Sequence, residues 1–198
     1  MLDTPLSGPV CPACWSGVRR VASPVFDGCV VACEYEGPLR DILHAFKYDG
    51  RRSLAAPLGT LLRDAGGPVL DGADAVVPVP LHPWKRLQRG FNQSADLART
   101  LGVPVRPVLW RSRATRAQAG LTPGERRRNV AGAFALMPWP SRASKTIEKQ
   151  ILVLVDDVLT TGATLDACAR VLERAGAREV RTLALARALP PAPGNTRP

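Results

Sequence analysis

Near the C-terminal end of the chain, VLVDDVLTTGAT runs from Val153 to Thr164. Two carboxylates, Asp156 and Asp157, follow an apolar run, and a turn rich in hydroxyls and glycine follows them. Backbone N–H groups at a helix N-terminus attract phosphate. Thr160, Thr161 and Thr164 add hydroxyl donors beside Ala163, and Gly162 lets the backbone approach a ligand closely. Residues 160–164 therefore read as a monophosphate cradle. The two acids would repel a bare phosphate, so they fit a ligand that also presents hydroxyls or a divalent cation on that side. A ribose 5-phosphate does this, because its diol can donate to carboxylates while its phosphate sits one sugar length away. Narrower readings compete. A Walker B strand also ends in Asp, but the chain has no GxxxxGK[ST]. A phospho-receiver domain carries its acids after an early strand. Asp157 alone would justify only a helix cap.

These residues need elements to hold them. ILVLV (151–155) is β-branched and continuously apolar, as a parallel strand buried on both faces is. A helix is expected from Gly162 to Gly176, with Leu165, Cys168, Leu172 and Ala175 on one face, and a strand over 179–187. Upstream, 29–36 reads as a strand and 39–48 as a helix opened by Gly37-Pro38. Residues 53–65 read as a second helix capped by Ser53, and 66–72 as a turn. A strand is expected at 73–80, an Arg-rich loop at 81–92, a helix at 93–102 closed by Gly102, and a strand at 103–110. Residues 111–134 are basic and weakly periodic, and 135–150 read as an irregular flap. The alternation of strands and helices predicts a doubly wound α/β domain, in which ligands bind at the carboxyl ends of the strands.

The net charge is +10, with 27 Lys+Arg against 17 Asp+Glu. Lysine occurs only at 47, 85, 145 and 149, so arginine supplies nearly all of the positive charge. High genomic GC content would explain the Arg/Lys ratio but not the net charge. A chain this basic points to a polyanionic partner or an anionic substrate. No apolar run reaches the roughly 20 residues a membrane-spanning helix needs, and the first residues lack the basic-then-apolar order of a signal peptide. The expectation is a cytoplasmic protein without membrane insertion.

There are five cysteines, at 11, 14, 29, 33 and 168. An odd number in that setting argues against a disulfide framework. Cys11 and Cys14 have the spacing of half a zinc site, while Cys29 and Cys33 lie on an expected strand, far apart for one metal.

The twelve residues at 153–164 resemble the phosphoribosyl pyrophosphate (PRPP) motif of type I phosphoribosyltransferases: apolar positions, two acids, then a TTG-x-T turn. Segments 39–50, 76–94 and 117–134 are similar to the ComF/GntX group, competence-associated proteins built on that domain. The resemblance spans residues 29–187 and implies a type I phosphoribosyltransferase-like α/β fold, with a central, mainly parallel sheet flanked by helices. Residues 1–28 would then be a short lead, the remnant of a zinc-finger-like region, and 188–198 a disordered Pro-rich tail. It also implies that Asp156 and Asp157 hold the ribose hydroxyls and serve catalysis. Thr160, Thr161, Gly162, Ala163 and Thr164 would take the 5-phosphate. A second loop carrying Leu81 and His82 would meet pyrophosphate together with Mg²⁺. Lys85, Arg86 and Arg89 stand next to that loop. Residues 111–130 fit a loop that closes over PRPP, where Arg126, Arg127, Arg128 and Asn129 would face pyrophosphate or DNA phosphate, with Gln118 a further candidate. Phe91 is a stacking residue or an ordinary core aromatic. Members of the group often carry two CxxC pairs, and only Cys11/Cys14 is present to bind zinc.

Two functions follow from the resemblance. One is a competence protein aiding uptake or processing of single-stranded DNA in natural transformation, with a ComFA-type helicase and DNA-processing proteins as partners. The other is an active phosphoribosyltransferase that carries the 5-phosphoribosyl group of PRPP to an acceptor in nucleotide salvage. No segment reads as a base-recognition hood.

Overall fold

The computed structural model describes residues 10–22, 24–26, 28–112, 124–125, 130, 132–138 and 147–188. A short helix α1 (Pro12–Ser16) leads into the edge strand β1 (Val25–Phe26) and then β2 (Cys29–Glu34). Helix α2 (Gly37–Tyr48) follows, then a 3₁₀ turn (Arg52–Leu54) that runs into α3 (Ala55–Leu70). Strand β3 (Ala75–Pro78) precedes two short helices, α4 (Pro83–Arg89) and α5 (Gln93–Ala98). Strands β4 (Leu109–Arg111) and β5 (Phe134–Leu136) form a separate antiparallel ribbon. The last described elements are β6 (Ile151–Leu159), α6 (Ala163–Arg174) and β7 (Glu179–Arg187).

The main sheet has the order β1-β2-β7-β6-β3. Strands β2, β7, β6 and β3 are mutually parallel, and only β1 is antiparallel. Parallel strands need helices on both faces, and the core is accordingly double. Leu43 and Phe46 of α2, Leu58 and Leu62 of α3 and Leu97 of α5 form one layer. Leu165, Cys168 and Leu172 of α6, with Phe134 of β5, form the other. Strand β6 feeds both: Val153 and Val155 join the first layer, Leu152 and Leu154 the second. Among the described residues, no helix is long and apolar enough to cross a membrane.

Several local expectations are corrected. Residues 66–72 were expected to turn, yet α3 continues to Leu70 with Pro68 inside its last stretch. Packing overrides the local signal: a Cβ at Gly66 would lie 2.7 Å from Leu183 Cδ2 of β7, so this glycine seats the helix on the sheet. Gly59 does the same against α5, where a Cβ would meet Thr100 Oγ1 at 1.8 Å. Ser53 is not a cap but lies inside the 3₁₀ turn, and α3 starts from Leu54 without a capping side chain. The expected strand at 103–110 reduces to a single bridge from Val105 to Val76, before β4 leaves for its own ribbon. Pro104 and Pro107 lack the N–H a ladder needs. The segment 135–150 contributes a strand residue pair to β5 and the fully buried Ile147, so its described parts are structured.

Two segments, one expected as an Arg-rich loop and one as a short lead, carry order. Residues 81–92 form α4 in their middle, with Pro83 in the first turn, His82 accepting a hydrogen bond from the Trp84 amide at 3.3 Å, and Gly90 closing the helix at φ 76°. Proline at the start and glycine past the end are ordinary helix punctuation. In the N-terminal lead, Trp15 and Val18 pack on the first apolar layer, and Arg20 bridges Cys33 beside β2.

Candidate active site

The expected strand 151–155 is longer than its apolar run: β6 extends to Leu159, so both acids lie on the strand rather than after it. Strand alternation sends Asp157 to the same side as Val153 and Val155, the side covered by α2. There Lys47 meets it, with Nζ 2.9 Å from Asp157 Oδ2 and side chains 14% and 8% exposed. Asp156 is half-buried, and its Oδ1 accepts hydrogen bonds from the Ser94 hydroxyl at 3.1 Å and the Asp157 amide at 2.9 Å. Ser94 stands in the first turn of α5, which starts where Asn92 Oδ1 accepts from the Ser94 amide at 3.1 Å. Asn92 Nδ2 in turn donates to the Val79 carbonyl at 3.0 Å, tying that turn to the loop after β3.

Electrostatics follow from this packing. Burial, and then the charge of Asp157, push the Asp156 carboxyl up to about 7, against its hydrogen bonds and the charge of Lys47. For Lys47, burial alone would favour the neutral amine, but the charge and hydrogen bond of Asp157, with help from Asp156, leave the ammonium raised above its ordinary value. Burial, and then the like charges of Arg89 and Arg111, hold Lys85 below its ordinary value.

The acids face a cavity of about 370 Å³. The turn after β6 lines the same cavity through Thr160, Gly162 and Thr164. Gly162 takes φ 70°, a left-handed conformation that favours glycine, and caps α6. The first-turn amides of a helix have no intrahelical acceptor, so this terminus offers donors. Leu81, Lys85 and Arg89 line it as well. Arg89 also donates to the Tyr48 hydroxyl at 2.9 Å. Gln93 lines the cavity while only 4% exposed, and its Oε1 has no hydrogen-bond partner among the described residues. A buried polar atom left open in this way marks a place for a ligand or water.

Not every expected residue gathers at the cavity. Ala163 is buried in the second apolar layer, so it can contribute only backbone. Thr161 is not on the wall, and its hydroxyl oxygen is buried without a partner among the described residues. His82 caps α4, and Arg86 lines a neighbouring cleft. Phe91 is a core aromatic packed 5.6 Å from the Phe46 ring. Gln118, Arg126, Arg127, Arg128 and Asn129 lie outside the described residues, as does the tail from 189 onward. Conversely Lys47, Tyr35, Tyr48, Gln93, Ser94 and Arg111 line the cavity without having been singled out. Lys47 is one of two lysines in the first hundred residues of an arginine-rich chain, which was a usable signal.

The donor set suits a hard divalent cation: two carboxylates and threonine hydroxyls are oxygen ligands of the kind Mg²⁺ takes alongside substrate phosphates. Zinc fits less well. The Cys14 amide donates to Cys11 Sγ at 3.3 Å, but among the described residues no third His, Cys, Asp or Glu joins the two thiols. Cys29 and Cys33 are buried free thiols, one in each apolar layer.

A parallel sheet with an acid pair and a Thr/Gly turn at the carboxyl end of β6 defines a type I phosphoribosyltransferase-like protein. The phosphoribosyl transferase domain family matches residues 87–192. Competence protein F of Haemophilus influenzae is 32% identical over 201 residues, covering 92% of this chain and 86% of that protein. The DNA utilization protein YhgH of Escherichia coli K12 is 32% identical over 179 residues, 84% of this chain and 74% of that one. Competence protein ComFC of Streptococcus pneumoniae is 31% identical over 153 residues, 77% of this chain and 65% of that one. The chain belongs to the phosphoribosyl transferase domain family and, within it, to the ComF/GntX group. Among solved structures, orotate phosphoribosyltransferase from Aeropyrum pernix aligns with a TM-score of 0.41 and 20% identity, over 71% of this chain and 75% of that one.

Proposed function

We propose that this chain acts as a ComF-type competence protein that aids the handling of single-stranded DNA and holds PRPP or a ribose phosphate in the cavity beneath β6. The observation that carries this reading is the cavity itself: the buried Asp157 and half-buried Asp156 line it together with a Thr/Gly turn at a helix N-terminus. In this reading the carboxylates of Asp156 and Asp157 accept from the ribose hydroxyls. Thr160, Thr164 and the α6 amides take the 5-phosphate. Lys85 and Arg89 face the pyrophosphate, and a Mg²⁺ brought with it would neutralise charge there, held on the side of the two acids. The names of the relatives support the competence role, and the net charge of +10 supports a polyanionic partner. A cytoplasmic helicase and DNA-processing proteins are the partners this role calls for.

The test is calorimetry with PRPP and Mg²⁺, and with ribose 5-phosphate, on the parent and on the paired variant Asp156→Asn, Asp157→Asn. Loss of both affinities in the variant is expected, and unchanged affinity would remove the assignment. Phosphoribosyl transfer to an acceptor is the second reading, favoured by the cationic wall of Lys47, Lys85 and Arg89 beside the acids. It requires pyrophosphate release when bases or amines are added to the PRPP-bound protein.

A further inference from the structure

A second cleft, of about 540 Å³, opens on the far side of the loop after β3. Pro80, Leu81 and Arg111 line both it and the acid-pair cavity, so the two sites share one wall. The contents of the second cleft differ in kind. It has no acid pair and no Thr/Gly turn. It has Trp110 of β4 and Met137 just past β5, 37% and 40% exposed, and Pro78, Pro80, Pro83 and Pro107 also line it.

Its charge is one-sided. Four arginines, 52, 86, 99 and 111, line it against the single acid Asp96. Asp96 is already neutralised, with Arg52 Nε 2.7 Å and Arg99 Nη1 2.6 Å from its carboxylate oxygens. Arg86 projects from the last turn of α4, is exposed, and has no side-chain partner among the described residues. The cleft therefore offers an exposed aromatic ring, apolar lining residues and an uncommitted guanidinium. A polyanion with planar apolar groups at regular spacing matches all three, and single-stranded nucleic acid is that ligand: bases stack on aromatic rings while phosphates meet arginine.

We infer that this cleft is the seat of a nucleotide of single-stranded nucleic acid, with the base on Trp110 and its phosphate on Arg86. The inference rests on the polynucleotide-handling reading above and specifies where the strand is held. Because the wall is shared, the next sugar-phosphate of the strand comes to the mouth of the acid-pair cavity. The strand thus passes beside that cavity without needing a base pocket inside it.

The experiment uses the full chain and a twelve-nucleotide oligothymidylate, followed by fluorescence anisotropy at low salt, with ribose 5-phosphate calorimetry run on the same proteins. Trp110→Ala and Arg86→Ala are expected each to weaken the oligonucleotide roughly five- to hundred-fold, with ribose 5-phosphate affinity unchanged. Asp156→Asn is expected to do the reverse. If the parent binds the oligonucleotide and both cleft variants bind it equally well, the cleft is not the seat, although the polynucleotide reading stands. Absence of oligonucleotide binding by the parent at low salt overturns both. Trp110-dependent binding of a glutamate-rich peptide in place of the oligonucleotide also overturns the inference.

Discussion

Lys47 Nζ on α2 lies 2.9 Å from Asp157 Oδ2 on β6, and both side chains are almost fully withdrawn from water. The pair joins the first helix of the α/β domain to the strand that carries the acids. A buried ion pair adds little stability over apolar residues of the same shape, but removal of one partner strands the other charge. Lys47→Met is therefore expected to cost about 3–5 kcal/mol in urea unfolding. Adding Asp157→Asn to that variant should recover most of the loss. If the single and double variants are equally unstable, the pairing is not what holds these residues.

The acid pair should also write itself into pH dependence. Asp156 titrates at about 7 in the fold against an ordinary value of 3.8, so between those values the folded protein binds the extra proton. Stability from this group is fully present below the unfolded value and is lost as pH rises through about 7. In the proposed function the Asp156 carboxylate accepts from ribose 5-phosphate, so on that reading the affinity should rise over the same interval. Asp156→Asn should flatten the pH slope of thermal unfolding between pH 4 and 7. An unchanged slope would show that another group titrates there.

Gly59 tests how closely α3 and α5 approach. A Cβ there would sit 1.8 Å from Thr100 Oγ1 and 2.5 Å from Thr100 Cβ. Gly59→Ala is expected to cost about 1–3 kcal/mol by overpacking. Thr100→Ala should not rescue it, because the clash includes the Cβ that alanine keeps.

Thiol reactivity should separate the cysteines. Hydrogen bonds from Cys14 hold the half-exposed Cys11 thiol below its ordinary value, whereas burial pushes Cys29 and Cys33 up to about 11. Alkylation of the native protein near pH 8, followed by mass spectrometry, should mark Cys11 first and leave Cys29, Cys33 and Cys168 unmodified until the chain unfolds. Early labelling of Cys33 would mean that the contacts around Arg20 open in solution.

The acid pair, the turn and the buried strand beneath them were legible because their chemistry is local: period, residue type and order lie within twelve consecutive positions. The fold class was legible for the same reason, from alternating segments. What escaped was whatever depended on partners far along the chain. Lys47 and Ser94 carry no local mark of their destination, since only the sheet order brings α2 and α5 to the end of β6. The run through Pro68 was misread because a proline inside a helix is decided by packing of Gly66 under Leu183, which no window of sequence contains. His82 was placed with Leu81 on the pyrophosphate loop by resemblance, and Arg86 beside it with Lys85 and Arg89. The helix that His82 begins and Arg86 continues turns them to different surroundings, one to a cap and one to the second cleft.

The strand order has a consequence for how the protein is made. β7 lies between β2 and β6, and Arg187 of β7 pairs with Glu34 of β2 across 153 positions of chain. Until β7 leaves the ribosome, β2 has no parallel neighbour. At roughly 5–20 residues per second that leaves an apolar edge open for about eight to thirty seconds. Birth of this protein thus includes an interval in which the β7-facing edge of β2 must be shielded from other chains, and the arrival of β7 ends it.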